Sequence, residues 1–91
     1  MEFRYNRWAN CWEIVDFAGC EIMDIKITDV REIASLVMDD LIENDLLDSD
    51  YIVECVIEEI DNLIYDKTEC WSWNIENHSE FLNWLKSYIF M

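Results

Sequence analysis

The chain has 91 residues, 53% of them hydrophobic, and a formal net charge of −15. Its length predicts a single domain over residues 1–91 with modest stability, because so short a chain buries only somewhat over ~60% of its surface on folding. The charge excludes direct binding to nucleic acid or anionic membranes and favours cationic protein partners. We expect a soluble, intracellular protein, since no secretory signal starts the chain and no apolar run approaches the ~18–20 residues that span a bilayer.

The N-terminal region predicts a β-hairpin. Residues 11–17 are rich in β-branched and aromatic side chains, and Ala18 and Gly19 supply a turn. Apolar and polar residues then alternate over residues 23–27, as in a half-buried strand. Residues 3–8 alternate more loosely, which indicates either a further strand at the start or a poorly ordered terminus. A helix is the competing interpretation of the first hairpin strand, because its apolar residues also lie at helical spacing.

Three amphipathic helices are predicted after the hairpin, because apolar residues recur there at helical spacing. Asp29 and Glu32 have the D-x-x-E spacing of a helix start, and Asn77 and Glu80 have the spacing of a capping box before the last helix. The predicted helices cover residues 29–43, 49–65 and 78–90, with a short connection at residues 44–48.

A third short strand is predicted between the last two helices. In residues 69–75 two Trp and one Ile alternate with Cys, Ser and Asn, which is the period of a strand. The predicted fold class is therefore α+β. It combines a small antiparallel sheet, made of the N-terminal hairpin and this third strand, with three helices packed on it.

Most of the charge lies on the first two helices. Between Glu32 and Asp66 the chain has twelve carboxylates and no Lys or Arg, so this segment carries −12 of the net −15. A surface selected for solubility alone normally mixes both signs. We therefore expect these acids to bind a positively charged protein, the alternative being a merely solvated face. The predicted binding residues are Glu32, Asp39, Asp40 and Glu43 (the first acidic stripe) and Asp50, Glu54, Glu58 and Asp61 (the second acidic stripe).

Several apolar residues are candidates for the same surface. Leu36 falls inside the first acidic stripe, where it is either an ordinary exposed leucine or the apolar anchor of a binding patch. The tryptophans outside the last helix are interpreted either as core residues or as a dimer contact. They are Trp8, Trp12, Trp71 and Trp73.

Catalytic and metal signatures are missing from the sequence. The one histidine, His78, lies at a helix start, no Gly-rich loop is present and no Ser occupies a nucleophile turn. We therefore expect neither an enzyme nor a cofactor. The four cysteines include no C-x-x-C pair and are expected to be reduced and mostly buried, with a disulfide or a metal site as the alternatives. They are Cys11, Cys20, Cys55 and Cys70.

A small, acidic, aromatic-rich α+β chain of this length resembles the phage-encoded inhibitors of bacterial defence, namely anti-CRISPR and anti-restriction proteins, several of which act as DNA mimics. No residue motif unites that group, so the resemblance covers size, charge and composition only. It implies a stoichiometric inhibitor in the cytoplasm of a bacterial host cell. Its target would be a CRISPR effector or restriction nuclease, whose basic nucleic-acid-binding surface it would mask.

The sign of the charge and the elongated shape of the acidic rows agree with such a role. Carboxylates four residues apart on a helix lie about 6 Å apart along its axis, a sparser row than the ~3.4 Å spacing of phosphates along a DNA strand. Two other function classes remain open. One is an immunity protein or antitoxin that neutralises a cationic nuclease toxin. The other is an adaptor or structural protein that forms a homodimer through its surplus tryptophans.

Overall fold

The computed structural model describes residues 1–45 and 48–90 and has the predicted α+β architecture. The elements of the fold are β1 (Glu2–Asn6), β2 (Cys11–Val15), β3 (Glu21–Lys26), α1 (Ile27–Glu43), α2 (Ser49–Thr68), a 3₁₀ turn (Ser72–Asn74) and α3 (His78–Tyr88). The strands form an antiparallel sheet in the order β1-β2-β3, and the helices follow the sheet along the chain.

The predicted hairpin corresponds to β2 and β3, and the helical interpretation of its first strand is wrong. Asp16 organises the turn between the two strands, because its carboxylate accepts hydrogen bonds from the N–H groups of Ala18 and Cys20, both at 2.9 Å. Gly19 adopts a positive φ of 82° in this turn, a conformation that glycine tolerates without a steric penalty. The predicted turn at Ala18 and Gly19 is therefore confirmed.

The third strand is β1 at the N-terminus, so of the two interpretations of residues 3–8 the strand is confirmed, and the strand predicted at residues 69–75 is wrong. β1 pairs with β2 along its whole length, from Glu2 opposite Val15 to Asn6 opposite Cys11. The later segment contains the 3₁₀ turn and reaches β1 only at its end, where Glu76 forms a single parallel bridge with Glu2. Trp and Ile alternate with polar residues in that segment, but among the described residues it has no neighbouring strand to pair with, so alternation alone wrongly predicted a strand.

The sheet has one apolar face and an opposite face that is mostly polar, although Cys11 and Val15 of β2 are buried on that second face. The apolar face is lined by residues that lie opposite one another in the register: Phe3, Ile14 and Met23 in one row and Tyr5, Trp12 and Ile25 in the next. Phe3 stacks on Phe81 of α3 with ring centroids 4.2 Å apart. On the other face Arg4 pairs with Glu2 at 2.7 Å. The apolar face is thus the floor of the core, and the helices cover it.

α2 and α3 begin at the predicted residues, but the start of α1 and the capping contacts differ from those predicted. α1 begins two residues earlier than predicted, and Asp29 acts from inside its first turn by accepting a 2.9 Å hydrogen bond from the N–H of Lys26. Asp48 caps α2 by accepting bonds from two N–H groups of the first turn. The capping box predicted at Asn77 is wrong, because the Asn77 side chain donates to the carbonyl of Phe3 at 3.2 Å instead.

The helix ends shift as well. α2 continues three residues beyond its predicted end, and α3 ends two residues before its predicted end. In the predicted connection at 44–48, residues 46 and 47 lie outside the described part of the chain.

The apolar faces of the helices form the core as predicted, with two exceptions. The fully buried positions are Val30, Ala34 and Leu41 on α1, Ile52, Val56, Ile60 and Ile64 on α2, and Phe81 and Leu85 on α3. Ile42 and Leu63 also lie at the apolar spacing of these helices but are exposed. They lie at the margins of the apolar arcs, where the neighbouring element no longer covers the helix.

Phe3 is expected to be the most sensitive position of the sheet. It is 1% exposed and contacts the rings of both Trp12 and Phe81. Its replacement by Ala should lower the free energy of unfolding by about 3–5 kcal/mol, because such a truncation leaves a cavity in the core. The matched control is Phe17→Ala, since the Phe17 ring is 97% exposed in the turn after β2. Urea titration followed by circular dichroism should find at most about 0.5 kcal/mol for this control.

Candidate protein-binding surface

Seven of the eight predicted stripe carboxylates are exposed, and the eighth is half-buried. Every acid of the first stripe lies on the solvent side of α1, and Asp50, Glu54 and Glu58 lie on the solvent side of α2. This follows from the amphipathic pattern, because the buried residues occupy the opposite side of each helix. The exception is Asp61, which contacts the segment after α2.

The stripe residues border three separate grooves. Asp40 lines a groove between α1 and α2 with a volume of about 290 Å³, which we call the inter-helix groove. Asp39, the next residue, lines a different groove of about 470 Å³ near the C-terminal residues Ile89 and Phe90. Glu54, Glu58 and Asp61 line a third groove of about 410 Å³. The acids therefore surround several concave surfaces on the two helices.

The inter-helix groove brings together one predicted carboxylate from α1 and one unpredicted carboxylate from α2. Its lining includes Leu36, Asp40 and Glu59. Glu59 was missed because it lies outside the i, i+4 row of the second stripe. Its position beside α1 depends on how the two helices pack. Leu36 is 65% exposed and flanked by these carboxylates. Many protein-binding surfaces have an apolar centre surrounded by a polar rim.

The third groove, which we call the tryptophan groove, is walled on one side by stacked aromatic rings. Trp71 lies between Tyr65 and Trp73, with ring centroids 4.3 Å and 5.1 Å away, respectively. The rings of Trp71 and Trp73 are nearly parallel, at 4°. Trp73 is 56% exposed. Both tryptophans were predicted to lie on a strand, and their alternation there gives no indication of this stacked arrangement.

The end of α2 explains why these rings stack. Glu69 takes the left-handed conformation, with φ of 57°, and its N–H donates to the carbonyl of Tyr65 at 2.8 Å. This is the αL motif that commonly ends helices, here at a cost because the residue is not glycine. The chain reverses at Glu69, and Trp71 is thereby placed on the ring of Tyr65.

The 3₁₀ turn that follows is fixed by a buried hydrogen bond. The hydroxyl of Ser72, which is fully buried, donates to the carboxylate of Asp61. Within the turn, the N–H groups of Asn74 and Ile75 donate to the carbonyls of Trp71 and Ser72, both at 3.0 Å. Asp61 therefore holds the turn that carries both tryptophans, a role different from that of the exposed stripe carboxylates.

The remaining tryptophans of the dimer hypothesis lie in contrasting environments. Trp12 is buried in the core, and Trp8 is 95% exposed in the turn between β1 and β2. Phe17 is exposed in the turn at the other end of β2. The exposed rings at the two hairpin turns are thus at opposite ends of the sheet and do not form one patch.

The cysteines are unpaired, and only one of them is fully buried. Cys11 lies in the sheet; burial raises the pKa of its thiol, and the carboxylates of Asp24 and Glu13 raise it further. Cys20 is exposed, and Cys55 and Cys70 are half-buried, so the expectation of mostly buried thiols is wrong. Residues 1–45 and 48–90 contain no group of three or more His, Cys, Asp or Glu arranged to hold a metal ion.

Comparisons with known proteins find no match among protein-family models, curated proteins or solved structures. Within the described residues, none of the helices combines the length and the apolar character needed to cross a membrane. The surface itself is therefore the basis for a functional hypothesis.

Removing the Asp61 carboxylate should destabilise the protein, in contrast to removing an exposed stripe carboxylate. In Asp61→Ala the buried hydroxyl of Ser72 loses its acceptor, which should cost about 1–3 kcal/mol in the free energy of unfolding. Glu58→Ala, almost one turn earlier on α2, should change that free energy by less than about 0.5 kcal/mol. Chemical denaturation of both variants measures the difference. Equal stabilities would mean that the Asp61 contact does not hold the 3₁₀ turn.

Moderate salt should raise the melting temperature of the free protein. Twelve carboxylates between Glu32 and Asp66 repel one another without an intervening Lys or Arg, and ions screen exposed charges more than ~8 Å apart at ~0.15 M ionic strength. Differential scanning calorimetry across a NaCl series checks this. A variant with Asp39, Asp40, Glu54 and Glu58 changed to Asn or Gln, which we call the helix variant, should show a smaller rise. A flat or falling melting temperature in the wild type would show that the charges are already compensated.

Proposed function

We propose that the protein is a stoichiometric inhibitor that masks the basic nucleic-acid-binding surface of a bacterial defence nuclease or CRISPR effector, acting as an acidic DNA mimic. One observation carries this proposal. The exposed sides of two adjacent helices present carboxylates along a segment of 35 residues, from Glu32 to Asp66, that contains no Lys or Arg. A protein groove that recognises phosphates through Lys and Arg attracts such a surface for the same electrostatic reason.

The shape of the molecule supports a mimic of an extended polyanion. Its principal extents are 46 × 27 × 18 Å. The longest of these corresponds to about thirteen phosphate spacings of ~3.4 Å along one DNA strand. The 20 residues of α2 account for about 30 Å of helix. Each row of carboxylates is sparser than a row of phosphates, so the likeness rests on the sign of the charge and on the elongated shape.

An immunity protein or antitoxin that neutralises a cationic nuclease toxin is the second candidate function. The observation that favours it is the presence of exposed apolar groups next to the acids, namely Leu36 and Trp73. Buried aromatic and aliphatic anchors dominate the affinity of tight protein complexes, whereas charge dominates recognition of a polyanion mimic. A homodimeric adaptor is the third candidate function. A measurement of molecular mass over a range of protein concentrations distinguishes it from the other two candidates.

A capture experiment from bacterial lysate tests the proposal. The baits are the wild type, the helix variant and a charge-matched control, in which Glu21, Glu69, Glu76 and Glu80 are changed to Gln. These four acids are exposed and lie outside the two stripes. Both variants lose four negative charges, so any difference between them depends on position. The wild type and the control should recover one nuclease or effector complex, and the helix variant should lose most of it.

Two further measurements distinguish the candidates. Added DNA should elute the captured complex, and the complex should weaken steeply as salt increases, if the acids occupy a phosphate-binding surface. A 1:1 complex that resists both DNA and salt would favour the immunity-protein candidate. Equal capture by the two variants would contradict the mimic proposal, because the helix carboxylates would then be a solvated face.

A further inference from the structure

We propose that the tryptophan groove binds an arginine side chain of the target, with the guanidinium group stacked on Trp73 and paired with Glu54 or Glu58. This inference rests on the proposed function, because it assigns one groove to one residue type of the basic partner. It goes further than general charge attraction, since it predicts a preference for arginine over lysine.

The aromatic stack ends at an accessible ring. In the described part of the chain, the ring that stacks on Trp73 is that of Trp71, while more than half of the Trp73 surface is exposed. A flat cation can therefore extend the row of rings by one position. Planar guanidinium groups stack on aromatic faces through cation–π and dispersion interactions, and tryptophan is the best of the aromatic side chains for this purpose.

The carboxylates of the same groove select a cation. Glu54 and Glu58 lie one turn apart on α2, both are exposed, and both line the groove with Trp71 and Trp73. A carboxylate can accept two parallel hydrogen bonds from a guanidinium group, which a lysine ammonium group cannot reproduce. Asp61 also lines the groove, but its carboxylate accepts the hydrogen bond from Ser72. Asp61 is also half-buried, so the exposed Glu54 and Glu58 are the ion-pairing groups of the site.

A nucleic-acid base is the obvious competing occupant of an aromatic stack, since bases stack readily on tryptophan. The charge of the groove argues against it. Any base arrives with its phosphate, and the groove is lined by three carboxylates on a chain of net charge −15. The repulsion of phosphate and the attraction of a guanidinium group both favour a basic protein segment.

The groove is held in shape before a partner arrives. The buried hydrogen bond from Ser72 to Asp61 fixes the 3₁₀ turn, and the stack on Tyr65 fixes Trp71 against α2. Its volume of about 410 Å³ is within the ~300–1,000 Å³ range of ligand pockets. Pre-ordered side chains lose less conformational entropy on binding, so a single arginine contact gains more affinity here than on a mobile surface.

The test compares two peptides of equal length and charge, oligo-arginine and oligo-lysine, with the intact protein at low salt. Titration is followed by calorimetry and by the indole N–H signals of the five tryptophans in NMR spectra. The arginine peptide should shift the signals of Trp71 and Trp73 and bind about two- to five-fold more tightly than the lysine peptide, as an exposed cation–π contact implies.

Two substitutions locate the preference. Trp73→Ala should remove the part of the difference that stacking contributes and so reduce it clearly, and Trp73→Phe should reduce it less. Trp8→Ala removes an even more exposed tryptophan outside the groove, so it should leave the difference unchanged. Because Trp73 is a surface residue, its substitution should leave the protein folded, and circular dichroism of each variant checks this. An equal affinity for both peptides, or an unchanged preference in Trp73→Ala, would overturn the assignment of the groove.

Failure of this inference is distinguishable from failure of the proposed function. If calorimetry shows that both peptides bind but the indole signals of Trp71 and Trp73 do not move, the groove assignment is overturned while attraction of a basic surface stands. If neither peptide binds at low salt, both proposals are overturned. If the arginine preference is observed but capture from lysate does not depend on the helix carboxylates, which include Glu54 and Glu58, the groove binds arginine in peptides only, and both the mimic proposal and the groove's role in the target complex are overturned.

Discussion

The structure depends on apolar packing between two helices whose outer faces carry charge of the same sign. Fully buried side chains at Val56, Ile60 and Ile64 of α2 join α1 residues in a common core. Burying one such side chain contributes about 1.5–3 kcal/mol, whereas repulsion between like charges on a helix costs a few tenths of a kcal/mol per pair. Packing therefore exceeds repulsion, and the acids can be arranged on the outside without opening the fold.

This balance has a consequence for function. The repulsion is present in the free protein and is relieved when a positively charged surface covers the acids. A basic partner therefore gains both the direct attraction and the relief of self-repulsion. Screening by salt affects the two states in opposite directions, because it stabilises the free protein and weakens the complex. A mixed-sign surface would be more stable alone and would have less to gain from binding.

Much of the fold was predictable because apolar residues recur at the regular spacing of helices and strands. Several of the missed features depend instead on contacts between distant segments. The three helices, the β2–β3 hairpin and the exposure of Leu36 follow from spacing along the chain. β1 is also local, because it pairs with β2 across the turn at residues 7–10, but its alternation is looser than that of residues 69–75. Contacts between distant segments cannot be read from spacing along the chain. The same limit applies to Glu59 and Asp61. Their roles depend on helix packing and on a buried serine, which a carboxylate row does not reveal.

Charge and shape contribute differently to recognition by this surface. Exposed carboxylates attract any basic protein, because electrostatic attraction is long-ranged and weakly dependent on geometry. Discrimination needs groups that are fixed in position, since only these penalise a poorly fitting partner. The exposed stripe acids lie on solvated helix faces, whereas Trp71 and Trp73 are held by stacking and by the Ser72–Asp61 hydrogen bond. Under the proposed function, the stripes supply attraction to a class of basic targets, and the tryptophan groove is the part of the surface proposed to discriminate within that class.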